Sequence, residues 1–388
     1  MCCEAATSSG QTGAGLEMSP KTALLTDERC FWHGGGGNYA FMLPAGGFVQ
    51  PGAGLPESPE SKRRLLNLVE VSGLARELEL TSAPIAQTHD LLRVHTPEYI
   101  KHFKELSAAM GGEIGTRAPF GPGGFDIASV SAGLAIGAVA GVLTGRWTNA
   151  YALTRPPGHH ALPDRPAGFC LLANIAIAIE AARAQGLARR FAVVDWDVHP
   201  GNGTEAIFLE RDDVLTISIH QDRCYPNYSS GFDNRGSGQG LGANLNIPLP
   251  PGTGHCGYLA AMHRLVVPQV TRFRPDVVIV ACGFDASGFD PLGRMMASAK
   301  TFKELTAAIQ QTAMNVCGGR LVMVHEGGYS DMYVPFCGHA VLEQLAGSKV
   351  HVPDPLAHTL ESRQPDPRFD AFVNVWIDQI AEALSTGA

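Results

Sequence analysis

Five short, mostly apolar runs set the architecture, and only the third includes polar residues: Ala23-Leu24-Leu25, Phe191-Ala192-Val193-Val194, Val214-Leu215-Thr216-Ile217-Ser218-Ile219, Val277-Val278-Ile279-Val280 and Leu321-Val322-Met323-Val324. A strand with one wet face repeats with period two. Runs that stay apolar throughout suit strands covered on both faces, as in a parallel sheet. Helical patterns lie between them, over 171–184, 258–273 and 302–316. Strand and helix in alternation predict a doubly wound α/β domain. The stretch from Val130 to Leu143 is broken by Gly133, Gly137 and Gly141 and reads as a buried helix of small residues. No repeat or linker divides the chain. We therefore expect a flexible tail over 1–20, with Met18 as an alternative start, and one catalytic domain over 21–388. A hydrophobic content of 45% against 17% charged residues supports a large core and excludes a disordered chain. Gly/Pro-rich segments at 34–59 and 229–254 are too long for simple turns and read as functional loops.

Polar chemistry follows the runs at once: Asp195-Trp196-Asp197-Val198-His199, Ser218-Ile219-His220, Gly283-Phe284-Asp285 and His325-Glu326-Gly327-Gly328-Tyr329. Open α/β sheets bind ligands in the crevice beyond the carboxyl ends of their strands. Asp197 and His199, one residue apart, project to the same side of an extended segment. With Asp285 from another strand end they make one nitrogen and two carboxylate ligands, leaving an open position as a catalytic zinc requires. Alone, the first two would suit a loop-capping Asp and a core His; Asp285, the His159-His160 pair and the Gly-Gly-Tyr favour a metal. Asp and His also suit other divalent cations, so the metal's presence is firmer than its identity.

The net charge of -8 argues against a nucleic-acid partner, which needs a basic face. Lys62-Arg63-Arg64 is a brief solvated helix face. The tail lacks an apolar core, so no signal peptide or membrane segment is expected there. Nine irregularly spaced cysteines, without a Cys-x-x-Cys, read as reduced thiols of a cytoplasmic protein. Cys170 and Cys282 are the candidates for a catalytic thiol, and neither has an obvious His partner.

Arg155-Pro156-Pro157-Gly158-His159-His160, Gly168-Phe169-Cys170, the Asp195 to His199 segment, Gly201-Asn202-Gly203-Thr204, Gly283-Phe284-Asp285-Ala286 and Glu326-Gly327-Gly328-Tyr329 occur in one order. In these motifs the chain resembles the zinc-dependent histone deacetylase family, from about Lys21 to the C-terminus. The likeness is to class II enzymes and the bacterial deacetylase-like amidohydrolases. The resemblance implies an arginase/deacetylase-like fold: a mostly parallel central sheet flanked by helices, with zinc at the base of a narrow tunnel. It implies that His159 and His160 flank the attacking water, His159 paired with Asp195 and His160 with Asn202. A carboxylate partner favours the imidazolium and a neutral amide leaves the imidazole free to accept a proton. His160 is then general base and acid, His159 an electrostatic group, and Tyr329 an oxyanion donor.

By the same resemblance Gly168 and Phe169 form one tunnel wall and the segment from Tyr225 to Tyr228 the other. Leu292 stands where polyamine deacetylases carry an acidic gatekeeper, which argues against acetylpolyamines. Potassium is implied at Asp195, Asp197, His199, Ser218 and Ile219, and a second ion at Phe208, Arg211, Val214 and Ala243. Pro200 replaces a second His that is not a metal ligand, so the surroundings of the metal should differ while the metal stays. The Gly34 to Gly52 loop resembles the bacterial amidohydrolases, where it shapes the tunnel rim and subunit contacts; a surface loop is the other reading. A homo-oligomer, dimer or tetramer, fits the resemblance.

The expected reaction is hydrolysis of an acyl-lysine or a small N-acyl or N-alkyl amide. An amidase or esterase for small or xenobiotic substrates is the alternative. A ureohydrolase would need two bridged metals and has no role for the His pair or Tyr329. A binding module that has lost catalysis is disfavoured because each catalytic position is filled.

Overall fold

In the computed structural model, which describes residues 22–34, 38–39, 43–44, 57–226 and 230–386, every apolar run singled out above is a strand. The main sheet consists of β1 (Thr22–Leu25), β2 (Glu79–Thr81), β3 (Asn149–Ala152), β4 (Phe191–Asp195), β5 (Val214–Gln221), β6 (Asn244–Leu249), β7 (Val277–Cys282) and β8 (Leu321–His325). Their spatial order is β6-β5-β4-β7-β8-β3-β1-β2, and every pairing is parallel. The expected N-terminal tail, most of the Gly34 to Gly52 loop and Tyr228 lie outside the described residues.

The helices that matter here are α1 (Glu60–Ser72), α2 (Gly124–Leu143), α3 (Asn174–Ala184), α4 (Asn202–Phe208), α5 (Ala299–Cys317), α6 (Val334–Ala346) and α7 (Pro367–Thr386). Side chains alternate across a strand, so each strand feeds both faces of the sheet. Phe191 and Val193 of β4 pack into a layer with Val130 and Leu134 of α2 and Ile175 and Ile179 of α3. Ala192 and Val194 face the opposite layer, with Leu65 of α1, Phe302 of α5, Val341 of α6 and Ile377 of α7. Helix cover on both faces explains why the runs read as continuously apolar. By length and composition α2 could cross a membrane. Its Ala132, Leu134, Ala135 and Ala138 are nevertheless fully buried within the fold.

Four expectations need correction. Lys62 does not belong to a solvated face: it is fully buried and pairs with Glu57 at 3.1 Å. The 229–254 segment is not all loop, because it holds β6. Its Asn-Leu-Asn-Ile-Pro-Leu sequence hides a strand, and Pro248 is tolerated because β6 lies at the sheet edge. Strands β2 and β3 also went unpredicted; Asn149-Ala150-Tyr151-Ala152 carries little β-branched signal. The single helix expected over 258–273 is two short helices, His255–Ala261 and Val267–Phe273, joined by a π-turn at Met262–Val266. Pro268 has no N–H for the ladder, which accounts for the break in register.

Candidate active site and metal centre

The chain leaves β4 toward β5 on one side and leaves β7 toward β8 on the other, so a crevice opens between the tips of β4 and β7. Beyond Asp195 the backbone bends instead of continuing extended, so strand alternation is not what joins Asp197 to His199. Side chains wind the segment. Asp195 Oδ1 accepts the N–H of Asp197 at 3.0 Å, and Asp197 Oδ1 accepts the N–H of His199 at 2.9 Å. Asp285, past the end of β7, accepts the N–H of Val198 at 2.8 Å.

These bonds bring donor atoms of Asp197, His199 and Asp285 within 4.8 Å of one another, all three residues buried. His199 Nδ1 lies 3.1 Å from Asp197 Oδ1 and 3.0 Å from Asp285 Oδ2. Asp285 Oδ2 nonetheless makes no sound hydrogen bond among the described residues. Burial and the neighbouring Asp197 charge push Asp285 up to about 8. Asp197 is held well below the carboxylate range: burial opposes this, and His159 and His199 outweigh it. An orphaned carboxylate oxygen beside a second carboxylate and an imidazole is a donor set that a divalent cation would satisfy. The backbone of Gly327 closes the cluster, its N–H donating to Asp197 Oδ2 at 2.7 Å. A Cβ there would strike both Asp197 and Asp285, so only glycine allows this approach.

His159 and His160 stand beside this cluster, ring centroids 4.0 Å apart. His159 Nδ1 is 2.9 Å from Asp195 Oδ2, and His160 Nδ1 is 2.6 Å from Asn202 Oδ1, at the start of α4. The partners divide the pair electrostatically. Burial opposes charge on His159, but Asp197 and Asp195 raise it to about 10. Burial, His159 and His199 hold His160 well below the usual histidine range. Glu326 fixes the turn beneath them by accepting the N–H of Gly158 at 2.7 Å and of His159 at 3.1 Å.

A cavity of about 420 Å³ opens above, lined by Arg117, His160, Gly168, Phe169, His199, Cys224, Tyr225, Leu292 and Tyr329. Phe169 meets Tyr329 at a ring distance of 5.7 Å, and Tyr225 stands edge-on to His160 at 5.3 Å. Gly168, Phe169, Leu292 and Tyr329 thus line one space with His160 and His199, and these two rings in turn contact Asn202, Asp197 and Asp285. Sequence reasoning missed Arg117, and it missed Asp290, which accepts the N–H of Leu292 at 2.9 Å and of Tyr329 at 2.7 Å. The Asp-Pro pair at 290–291 was a legible turn signal; nothing marked Arg117.

His220 does not join the cavity: its Nδ1 is 2.9 Å from the Ser218 hydroxyl and its Nε2 3.1 Å from the Ser230 carbonyl oxygen. Of the residues implied for potassium, Asp195 and Ser218 face each other in register across β4 and β5. The thiols of Cys170 and Cys282 are fully buried and burial raises both, which suits structural roles.

Residues 55–345 match the family described as histone deacetylase domain. A histone deacetylase-like amidohydrolase of Pseudomonas aeruginosa is 53% identical over 366 residues, covering 94% of this chain and 96% of that protein. Histone deacetylase 8 of Arabidopsis thaliana is 39% identical over 312 residues, 78% of this chain and 82% of the relative. Among solved structures, the HDA15 HD domain superposes with a TM-score of 0.77 at 29% identity, covering 95% of this chain and 98% of that one.

Proposed function

The chain belongs to the histone deacetylase family and has its arginase/deacetylase fold, and on that premise we propose that it hydrolyses the amide bond of an acyl-lysine or a related small N-acyl amine with a zinc ion held by Asp197, His199 and Asp285. When bound, zinc lowers the pKa of a water and polarises a carbonyl. The protein's own groups supply the rest.

The observation that carries this reading is the unequal pairing of two adjacent histidines, one on a carboxylate and one on an amide. With its Nδ1–H donated to Asn202 Oδ1, His160 keeps the lone pair of Nε2 for a proton. It takes that proton from the attacking water and later delivers it to the leaving amine nitrogen. His159, kept cationic by Asp195, stabilises the negative charge that develops on oxygen. Tyr329, held in place by its N–H bond to Asp290 Oδ2, offers a hydroxyl donor to the same oxygen. Phe169 and Tyr225 grip the acyl-bearing chain by apolar contact. A potassium ion at Asp195, Asp197, His199, Ser218 and Ile219 belongs to the same reading and would brace the bent segment from beneath.

Turnover of a fluorogenic acetyl-lysine amide tests the proposal. Activity should vanish after chelation, return with zinc and titrate at one ion per chain, whereas a ureohydrolase would need two. Full activity after exhaustive metal removal would overturn it.

A further inference from the structure

The rim of the cavity carries a cation whose backbone is built into the tunnel wall. The segments around Thr116 and Gly168 are joined side by side: the N–H of Gly168 donates to the Thr116 carbonyl at 3.0 Å and that of Phe169 to the Arg117 carbonyl at 2.7 Å. Arg117 and Phe169 both occupy the left-handed region, with φ of 56° and 68°. A non-glycine residue there is uncommon and persists only when its surroundings enforce it. The wall that places Phe169 therefore fixes Arg117 as well.

The exposed guanidinium stacks over the Tyr225 ring, 5.2 Å from its centroid. Neighbouring surface arginines have carboxylate partners: Arg165 pairs with Asp164 at 3.0 Å and Arg223 with Asp222 at 3.8 Å. Among the described residues Arg117 forms no ion pair, and no Asp or Glu among them lines the cavity it faces.

We propose that Arg117 is a specificity-determining residue that receives a carboxylate at the outer end of the substrate, so that the preferred substrates are N-acyl amines whose chain ends in an anionic group. Guanidinium and carboxylate make paired, charge-assisted hydrogen bonds, and stacking on Tyr225 leaves the fork in one orientation. An acetamide entering as far as His160 and His199 would leave its distal end near this rim. The inference rests on the amidase reading above and adds the charge of the substrate to it.

The test compares 6-acetamidohexanoate with its neutral carboxamide, which differ by one charge at the distal end. The wild-type protein should favour the carboxylate in kcat/KM by about fivefold at low salt, the size expected of a part-exposed ion pair. About 0.5 M salt should shrink that ratio by screening. Arg117→Lys should keep most of the preference, Arg117→Gln should bring the ratio near one, and Arg117→Glu should invert it. All three retain a Cβ at the same strained position, and thermal melting checks that each is folded. A wild-type ratio of one with brisk turnover of the carboxamide overturns this inference and leaves the amidase reading standing. An Arg117→Gln protein equally slowed on both substrates also overturns it, because the arginine then only props Tyr225. Should neither amide be hydrolysed, the amidase reading fails for this class. Calorimetric binding of hexanoate against hexanamide, in wild type and Arg117→Gln, then decides the anion preference on its own: a preference lost in the variant supports it and its absence sinks it.

Discussion

At the scale of single residues, the two adjacent histidines make the sharpest claim, since the same side chain is given opposite tasks by its partner. On the proposed mechanism, replacing His160 by Ala removes the group that moves the proton, a change worth about 10²–10⁴ in rate. On the same reading, replacing His159 by Ala removes a charge but leaves His160, oriented by Asn202, able to carry the proton from water to the leaving amine. The expected outcome is a larger fall in kcat for His160→Ala than for His159→Ala with zinc content unchanged, measured on one acetamide. Equal losses would dissolve the division of roles. Residues of this kind were legible because they sit side by side in sequence or follow an apolar run directly. Asp197 and His199 pointed to a metal only in combination with Asp285, the His pair and the Gly-Gly-Tyr, and a pair of side-chain turns, not strand alternation, joins them. Arg117 was illegible for a physical reason. Its role comes from a lateral pairing with residues fifty positions away and from an unusual φ, neither of which leaves a local pattern.

Elements were readable where burial was complete and obscure where it was partial. The interior strands β4, β7 and β8 are covered on both faces and advertise it, whereas edge strand β6 alternates with asparagine and includes a proline. Helix α2 was read as small-residue and buried, and the structure supplies the reason. A Cβ on Gly141 would run into the indole of Trp147, which is itself only 3% exposed. Two effects oppose each other in Gly141→Ala. Alanine gains about 1 kcal/mol of helix propensity. Overpacking a full core costs about 1–3 kcal/mol, and more when the neighbour cannot retreat. Because the ring is buried and the added methyl would overlap it, crowding should win, lowering the urea midpoint. Gly145→Ala is the control, since Gly145 sits at φ +75° and an added methyl there would meet nothing within 4 Å. It bears a conformational cost of about 1 kcal/mol alone. If Gly141→Ala proves the milder of the two, the close contact is not what selected glycine.

For the whole molecule, the consequence lies in where the sheet order turns. Side chains from the loops after β4 and β7, with Gly327 after β8, meet only when all three strands are in register, so the proposed metal site would exist only in the folded chain. Binding there must therefore add to folding stability, by about 4 kcal/mol when the ion is a thousandfold above its Kd. It must also compete with a proton. Asp285 is raised from its ordinary 3.8 to about 8, so between those values the folded metal-free protein holds a proton that the unfolded chain has lost. Unfolding then releases that proton, and the metal-free protein loses stability as pH climbs from about 4 to about 8. A divalent ion displaces the same proton, so its affinity should rise across this window and the loaded protein should lack that slope. Zinc titration calorimetry near pH 6.5, in two buffers of different ionisation enthalpy, should report about two protons released per ion, one from Asp285 and one from His199. Burial opposes charge on the His199 imidazole, but its carboxylate neighbours raise it well above the usual range. The Asp285 share should fade above about pH 8.5. Melting curves run alongside should fall with pH for chelated protein and hold for loaded protein. A proton count of zero near pH 6.5, with parallel melting curves, would mean that the carboxylate pair carries no proton for a metal to replace, and that the crowding of Asp197 against Asp285 is relieved by something other than a cation.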